Sequence, residues 1–148
     1  CTCTLKQVQQ YLGKLSRPLL DRIDIQIEVA AVKYKELEEG KEVEGSAVIR
    51  QRVEKARKVQ LERYKGSRLY SNAQLTPALI AKHCRLDEQG RDLLRNAYEK
   101  LGLSARAHNR ILKVSRTIAD MDGEENIKPR HLAEAIQYRS LDRCFWER

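Results

Sequence analysis

A chain of 148 residues with 41% hydrophobic and 34% charged side chains has room for one modest core. A charge breaks every apolar stretch within a few residues, which excludes a transmembrane helix and a signal peptide and predicts a cytoplasmic protein with no membrane partner. The net charge of +8, from 29 basic against 21 acidic residues, favours anionic partners, although the signs interleave as they do on ordinary solvated helices.

The sequence opens abruptly as CTCTLKQVQQ, with Cys1 in place of Met, and so reads as a piece of a longer protein. Cys1 and Cys3 fit half of a metal site, because tetrahedral zinc takes four donors; the competing reading is inert reduced thiols. Cys84 and Cys144 repeat no spacing, so no disulfide framework is expected. Thr4 followed by Gln7 is a capping-box pattern and predicts a helix with Leu5, Val8, Leu12 and Leu15 on one face. Ser16-Arg17-Pro18 interrupts it, and LLDR makes a further turn. From Ile23 the period changes to two, with Ile23, Ile25, Ile27 and Val29 opposing Asp24, Gln26 and Glu28, which predicts a strand. A lone strand needs a sheet for its backbone, so the partners of this one are expected outside the sequence. Residues 31–45, charged and punctuated by Gly40 and Gly45, read as a linker. Their GKEVEGS has the G-x-x-x-x-G spacing of a phosphate loop without the lysine that must follow.

From Ser46 onward only helices are predicted. The first, Ser46 to about Tyr64, is long and basic, with Ile49, Val53, Ala56 and Gln60 in register. Thr76 and Pro77 open a short helix reaching about His83. Leu86 to Leu101 forms the next, stopped by Gly102. Ser104 caps a helix with the most regular apolar stripe in the chain, Ala107, Ile111, Val114, Ile118 and Met121, and Gly123 closes it. Pro129 starts the last, with Leu132, Ala135 and Ile136 inward. The expected fold is mostly α: a bundle of about five helices preceded by a helix and a strand.

Chemistry is sparse. His83, His108 and His131 are far apart and read as surface or packing residues, and no nucleophile–base arrangement is legible. Two arginines are better placed. Arg22 sits where helix gives way to strand, between Asp21 and Asp24. Arg106 lies two residues past a helix cap, where free N–H groups and the dipole favour an anion. Planar guanidinium donors suit phosphate oxygens; on composition alone, an ion pair with a neighbouring carboxylate is the favoured reading.

The segments LSRPLLDRIDIQIEV, GLSARAHNRILKVSRTIADMDG and IKPRHLAEAIQYR, in that order and spacing, resemble the C-terminal part of the magnesium-chelatase-like AAA+ ATPases of the ComM competence type. The resemblance covers nearly the whole chain; Arg17 stands where the family usually has Gly. It implies that residues 1–30 end an α/β ATPase core, 31–45 link, and 46–148 form the helical lid. It further implies that Arg22 is an arginine finger acting in trans, held by Asp21 and Asp24, and that Arg106 is the sensor-2 arginine. Arg110 and Arg116 are then structural or interfacial, and the opening cysteines resemble the end of a cysteine-rich insert. The implied whole is a hexameric, ATP- and Mg2+-dependent motor acting on DNA in recombination and branch migration. Without Walker A and B motifs, this stretch alone is expected to be monomeric, to bind no cofactor and to hydrolyse nothing. Two alternatives stand beside it. One is a free-standing nucleic-acid-binding module whose basic helix, with Arg50, Arg52, Lys55, Arg57, Lys58 and Arg63, docks the polymer, Arg50, Arg57 and Lys58 being the contacts of choice. The other is a subunit of a true magnesium chelatase.

Overall fold

Helix ends in this chain follow the caps written in its sequence. The computed structural model describes residues 2–14, 16–32, 34 and 44–139. Thr4 caps α1 (Leu5–Leu12) with the full reciprocal box: its hydroxyl accepts from Gln7 N, and Gln7 Oε1 accepts from Thr4 N at 2.8 Å. The turn α2 (Arg17–Leu20) follows, and then α3 (Ser46–Arg63), a 3-10 turn (Asn72–Gln74), α4 (Pro77–His83), α5 (Glu88–Leu101), α6 (Ala105–Met121) and α7 (Pro129–Gln137). Asp87 caps α5 by accepting from Gly90 N at 2.7 Å, and a Cβ on Gly90 would meet that same Asp87 oxygen at 2.9 Å. Gly102 ends α5 in the left-handed conformation, φ 59°.

Helices α3 to α7 form the bundle that their spacing predicts. Its apolar centre takes Leu75, Ile80, Leu94, Leu103, Ala107, Ile111, Leu112, Ala119, Ile127, Leu132 and Ala135, with α6 in the middle, touching α3, α4, α7 and the 3-10 turn. The inward face of α6 is rotated from the expected stripe. Ala107 and Ile111 are buried as predicted, but Leu112, Ser115, Arg116, Ala119 and Asp120 are buried with them, while Met121 is exposed. On α3 only Ala56 and Gln60 are buried, and Ile49 and Val53 remain exposed.

A polar network runs through this core. Asp120, fully buried, accepts from Arg63 Nη1 at 2.8 Å, Arg116 Nε at 3.0 Å and Asn72 Nδ2 at 2.8 Å, and Arg63 Nη2 reaches its other oxygen. Arg116 also donates to the carbonyls of Glu124 and Glu125 at 2.6 and 2.7 Å. Asn72 is satisfied on every side: its oxygen accepts from Tyr64 Oη at 2.6 Å, its amide also donates to Thr117 Oγ1 at 3.0 Å, and its backbone N–H donates to Gln60 Oε1 at 3.1 Å. One aspartate thus ties α3, the 3-10 turn, α6 and the loop before α7. His131, also buried, packs as the sequence suggests: its Nδ1 accepts from Lys128 N at 3.0 Å and so caps α7.

The predicted strand does not form. Among the described residues none is in a strand, and 25–32 form no ladder. Ile23, Ile25, Ile27 and Val29 stay 41, 50, 65 and 84% exposed. Alternation gives a sequence the capacity to pair, but a ladder needs a second strand to receive its N–H and C=O groups. Instead Gln26 N donates to Tyr138 O at 2.9 Å, fastening the segment to the end of α7. Most of the expected linker, 35–43, lies outside the described residues. No described helix is long and apolar enough to cross a membrane.

Breaking the network should cost as much as opening a cavity in the apolar core. Asp120→Ala strands two arginines, one of them wholly buried, and is expected to lower unfolding free energy by about 3–5 kcal/mol in urea titration. A loss below about 1 kcal/mol would mean that the network contributes little to the fold.

Candidate phosphate-facing cleft

The start of α6 carries a row of cations one turn apart. Arg106, Arg110 and Lys113 share one face of the helix and, with Asn109, Ala73 and Asp24, line a polar cleft of about 290 Å3. Ser104 begins the row by accepting from Ala107 N at 3.1 Å, so the amides of the first turn end at the cap beside Arg106. Lys113 Nζ donates to Ala73 O at 2.8 Å, and Arg110 pairs with Asp24. Arg106 is exposed and has no side-chain partner among the described residues.

Arg22 is likewise exposed and unpartnered among the described residues, in the tight turn after α2, where its N–H donates to Leu19 O at 3.0 Å. Its flanking carboxylates do not hold it. Asp24 engages Arg110, and Asp21 lies 3.4 Å from Arg139 Nη2, while Arg139 Nη1 also donates to Ile23 O. The expectation that Asp21 and Asp24 brace the Arg22 guanidinium is therefore corrected. Asp21 has a better partner in the buried Arg139 than in a neighbour free in water. Arg110 is interfacial, between bundle and turn, and Arg116 is structural.

The other candidates are dispersed. Cys3 is an exposed free thiol, Cys1 and Cys144 lie outside the described residues, and no group of three metal-ligating side chains gathers among the described ones. Cys84 is buried, and burial pushes its thiol up to about 11, which leaves it protonated and unreactive. On α3, Arg50, Arg57 and Lys58 are exposed, but Arg52 pairs with Glu44 at 3.0 Å and Arg63 belongs to the buried network. The basic helix thus presents fewer free cations than its sequence promised. A second basic feature escaped the sequence reading: Arg85, Arg91 and Arg95 border a groove of about 540 Å3 with Tyr98 and His108, whose rings meet edge to face at 6.5 Å. Its arginines come from α5 and the loop before it, and no periodic signal marks them as neighbours of α6.

Known proteins resemble this chain over nearly its whole length. The family model described as the C-terminal domain of magnesium chelatase subunit ChlI matches residues 43–139, and that of magnesium chelatase subunit ChlI matches residues 1–37. The competence protein ComM of Haemophilus influenzae is 45% identical over 139 residues, 93% of this chain and 26% of that protein. The uncharacterized protein YifB of Escherichia coli is 40% identical over 145 residues, 95% of this chain and 27% of that protein. The chain therefore spans about a quarter of the length of these relatives.

Arg106 and Ile111 lie on one helix with opposite duties, which gives a stability test. Arg106→Ala is expected to change unfolding free energy by less than about 0.5 kcal/mol, as an exposed and unpaired side chain. Ile111→Ala should cost about 2–5 kcal/mol by opening a cavity in the bundle. Equal losses in urea titration would make Arg106 a structural residue.

Proposed function

The chain belongs to the magnesium chelatase ChlI family, and on that premise we propose that it is the lid, with the end of the preceding core, of a ring-forming AAA+ motor driven by ATP hydrolysis. One observation carries the reading. Arg22 and Arg106 are exposed and unpartnered among the described residues, whereas the neighbouring arginines 110, 116 and 139 are committed to internal contacts. An arginine that a fold leaves free beside a cleft or on a tight turn is available to an anion that arrives with a partner or ligand.

The cleft at α6 suits phosphate oxygens, because its free guanidinium, that of Arg106, stands at a helix start. Arg106 would bind and orient the phosphates there as sensor 2. ATP, when bound, supplies the phosphoryl group. Arg22, offered from one subunit toward its neighbour's nucleotide, would stabilise the negative charge that grows as the phosphoryl group transfers.

DNA is the proposed substrate of the motor, and two features support it: the net charge of +8, and the arginine-bordered groove at Tyr98 and His108, whose aromatic edge and free Arg85 suit a phosphodiester strand. If this groove or the outer face of α3 touches DNA, binding of a short labelled oligonucleotide by the chain should weaken steeply with salt. No detectable binding at low salt would leave these charges as solvated surface.

The finger assignment has its own test. In the full-length protein, Arg22→Ala should abolish most ATP hydrolysis, on the order of a thousandfold in kcat, while nucleotide binding stays within about twofold. Normal hydrolysis with impaired binding would contradict it.

A further inference from the structure

One of the two carboxylates that flank Arg22, Asp24, ties its turn to the helix that carries Arg106. Asp24 Oδ1 accepts from Arg110 Nη1, and Arg110 lies one turn beyond Arg106 on the same face. The chain between Arg22 and Asp24 has little freedom: Arg22 N and Ile23 N donate to the carbonyls of Leu19 and Leu20, each at 3.0 Å, and Gln26 Nε2 returns to Leu20 O at 3.2 Å. Behind the turn, Arg139 holds Asp21 and Ile23 O.

We propose that Asp24 and Arg110 are a positioning pair that couples the turn bearing Arg22 to the helix bearing Arg106, so that engagement of phosphate at one arginine sets the aim of the other. The inference rests on the reading of Arg22 and Arg106 as phosphate-facing residues and adds the link between them. A helix is stiff over one turn, about 6 Å for four residues, so a pull on Arg106 moves Arg110 with it. Asp24, joined to Arg110, follows, and the hydrogen-bonded turn carries Arg22 along. Arg139 is the anchor of the same turn, but it is buried and its loss would disturb the fold. The side chains of Arg110 and Asp24 are 26 and 56% exposed, so their pairing contributes little to folding and its role can be separated from stability.

The test uses the full-length protein and steady-state ATP hydrolysis. Asp24→Asn and Arg110→Met should each lower kcat by about tenfold with KM for ATP within about twofold, because binding is intact and aim is lost. Arg110→Lys, which keeps the ion pair, should retain most of the rate. The double variant Asp24→Asn/Arg110→Met should be no slower than either single one, whereas independent roles would multiply to about a hundredfold. Unfolding midpoints of this chain carrying each change should match wild type. Wild-type kcat in both single variants, or a multiplicative double variant, overturns the coupling while leaving the finger assignment standing, provided that Arg22→Ala is inactive in the same assay. Full activity of Arg22→Ala removes both.

Discussion

Everything in the bundle hangs on where Asp120 is. A carboxylate with no exposed surface must find donors for its oxygens, and here they come from three elements: Arg63 of α3, Asn72 of the 3-10 turn and Arg116 of α6 itself. That requirement fixes the end of α3 against the C-terminal end of α6 and brings the 3-10 turn to the same carboxylate. Two guanidinium groups meet one carboxylate, so the surplus positive charge needs acceptors as well, and the Glu124 and Glu125 carbonyls of the loop before α7 supply them. The network therefore specifies which elements meet, and the apolar side chains around it fill the space.

From this rigid centre the functional geometry follows outward along α6. Its inward face is held by Ile111, Ser115 and Ala119, which leaves the face of Arg106, Arg110 and Lys113 directed at the cleft. Arg110 and Arg139 then reach the turn after α2 and hold it by Asp24, Asp21 and the Ile23 carbonyl. The consequence is a division of labour among arginines. Those that shape the molecule are bonded internally, and the two assigned to phosphate are free. Charge count could not pick out the bonded arginines; burial and partners do.

Local signals were legible in the sequence, and long-range ones were not. The caps at Thr4, Asp87 and Ser104, the proline starts of α4 and α7 and the glycine stop at Gly102 are short-range chemistry; of these, all but Asp87 can be read directly, and the predicted start of α5 at Leu86 fell two residues early. The strand at Ile23 failed because alternation describes a capacity to pair and says nothing of a partner. The stripe on α6 was misjudged because Arg116 and Asp120 look like surface residues until Arg63 and Asn72 are brought to them by the fold. For the same reason the pairing of Asp21 and Asp24 with remote arginines, and the gathering of Arg85, Arg91 and Arg95 beside Tyr98, left no trace in spacing. The positions of Arg22 and Arg106 were visible from their junction and cap, but their freedom from partners is a property of the folded chain.

Complementation in mixed assemblies tests most directly the proposed role of Arg22 across a subunit boundary. Full-length subunits carrying Arg22→Ala keep their own nucleotide site and lack a finger for the neighbour; subunits unable to bind ATP keep the finger and lack a site. Each preparation alone should be inactive. Co-assembled, an intact Arg22 from the second kind faces an intact site on the first, and ATP hydrolysis should return in proportion to such interfaces. A mixture that hydrolyses no faster than the sum of its two components would contradict the account.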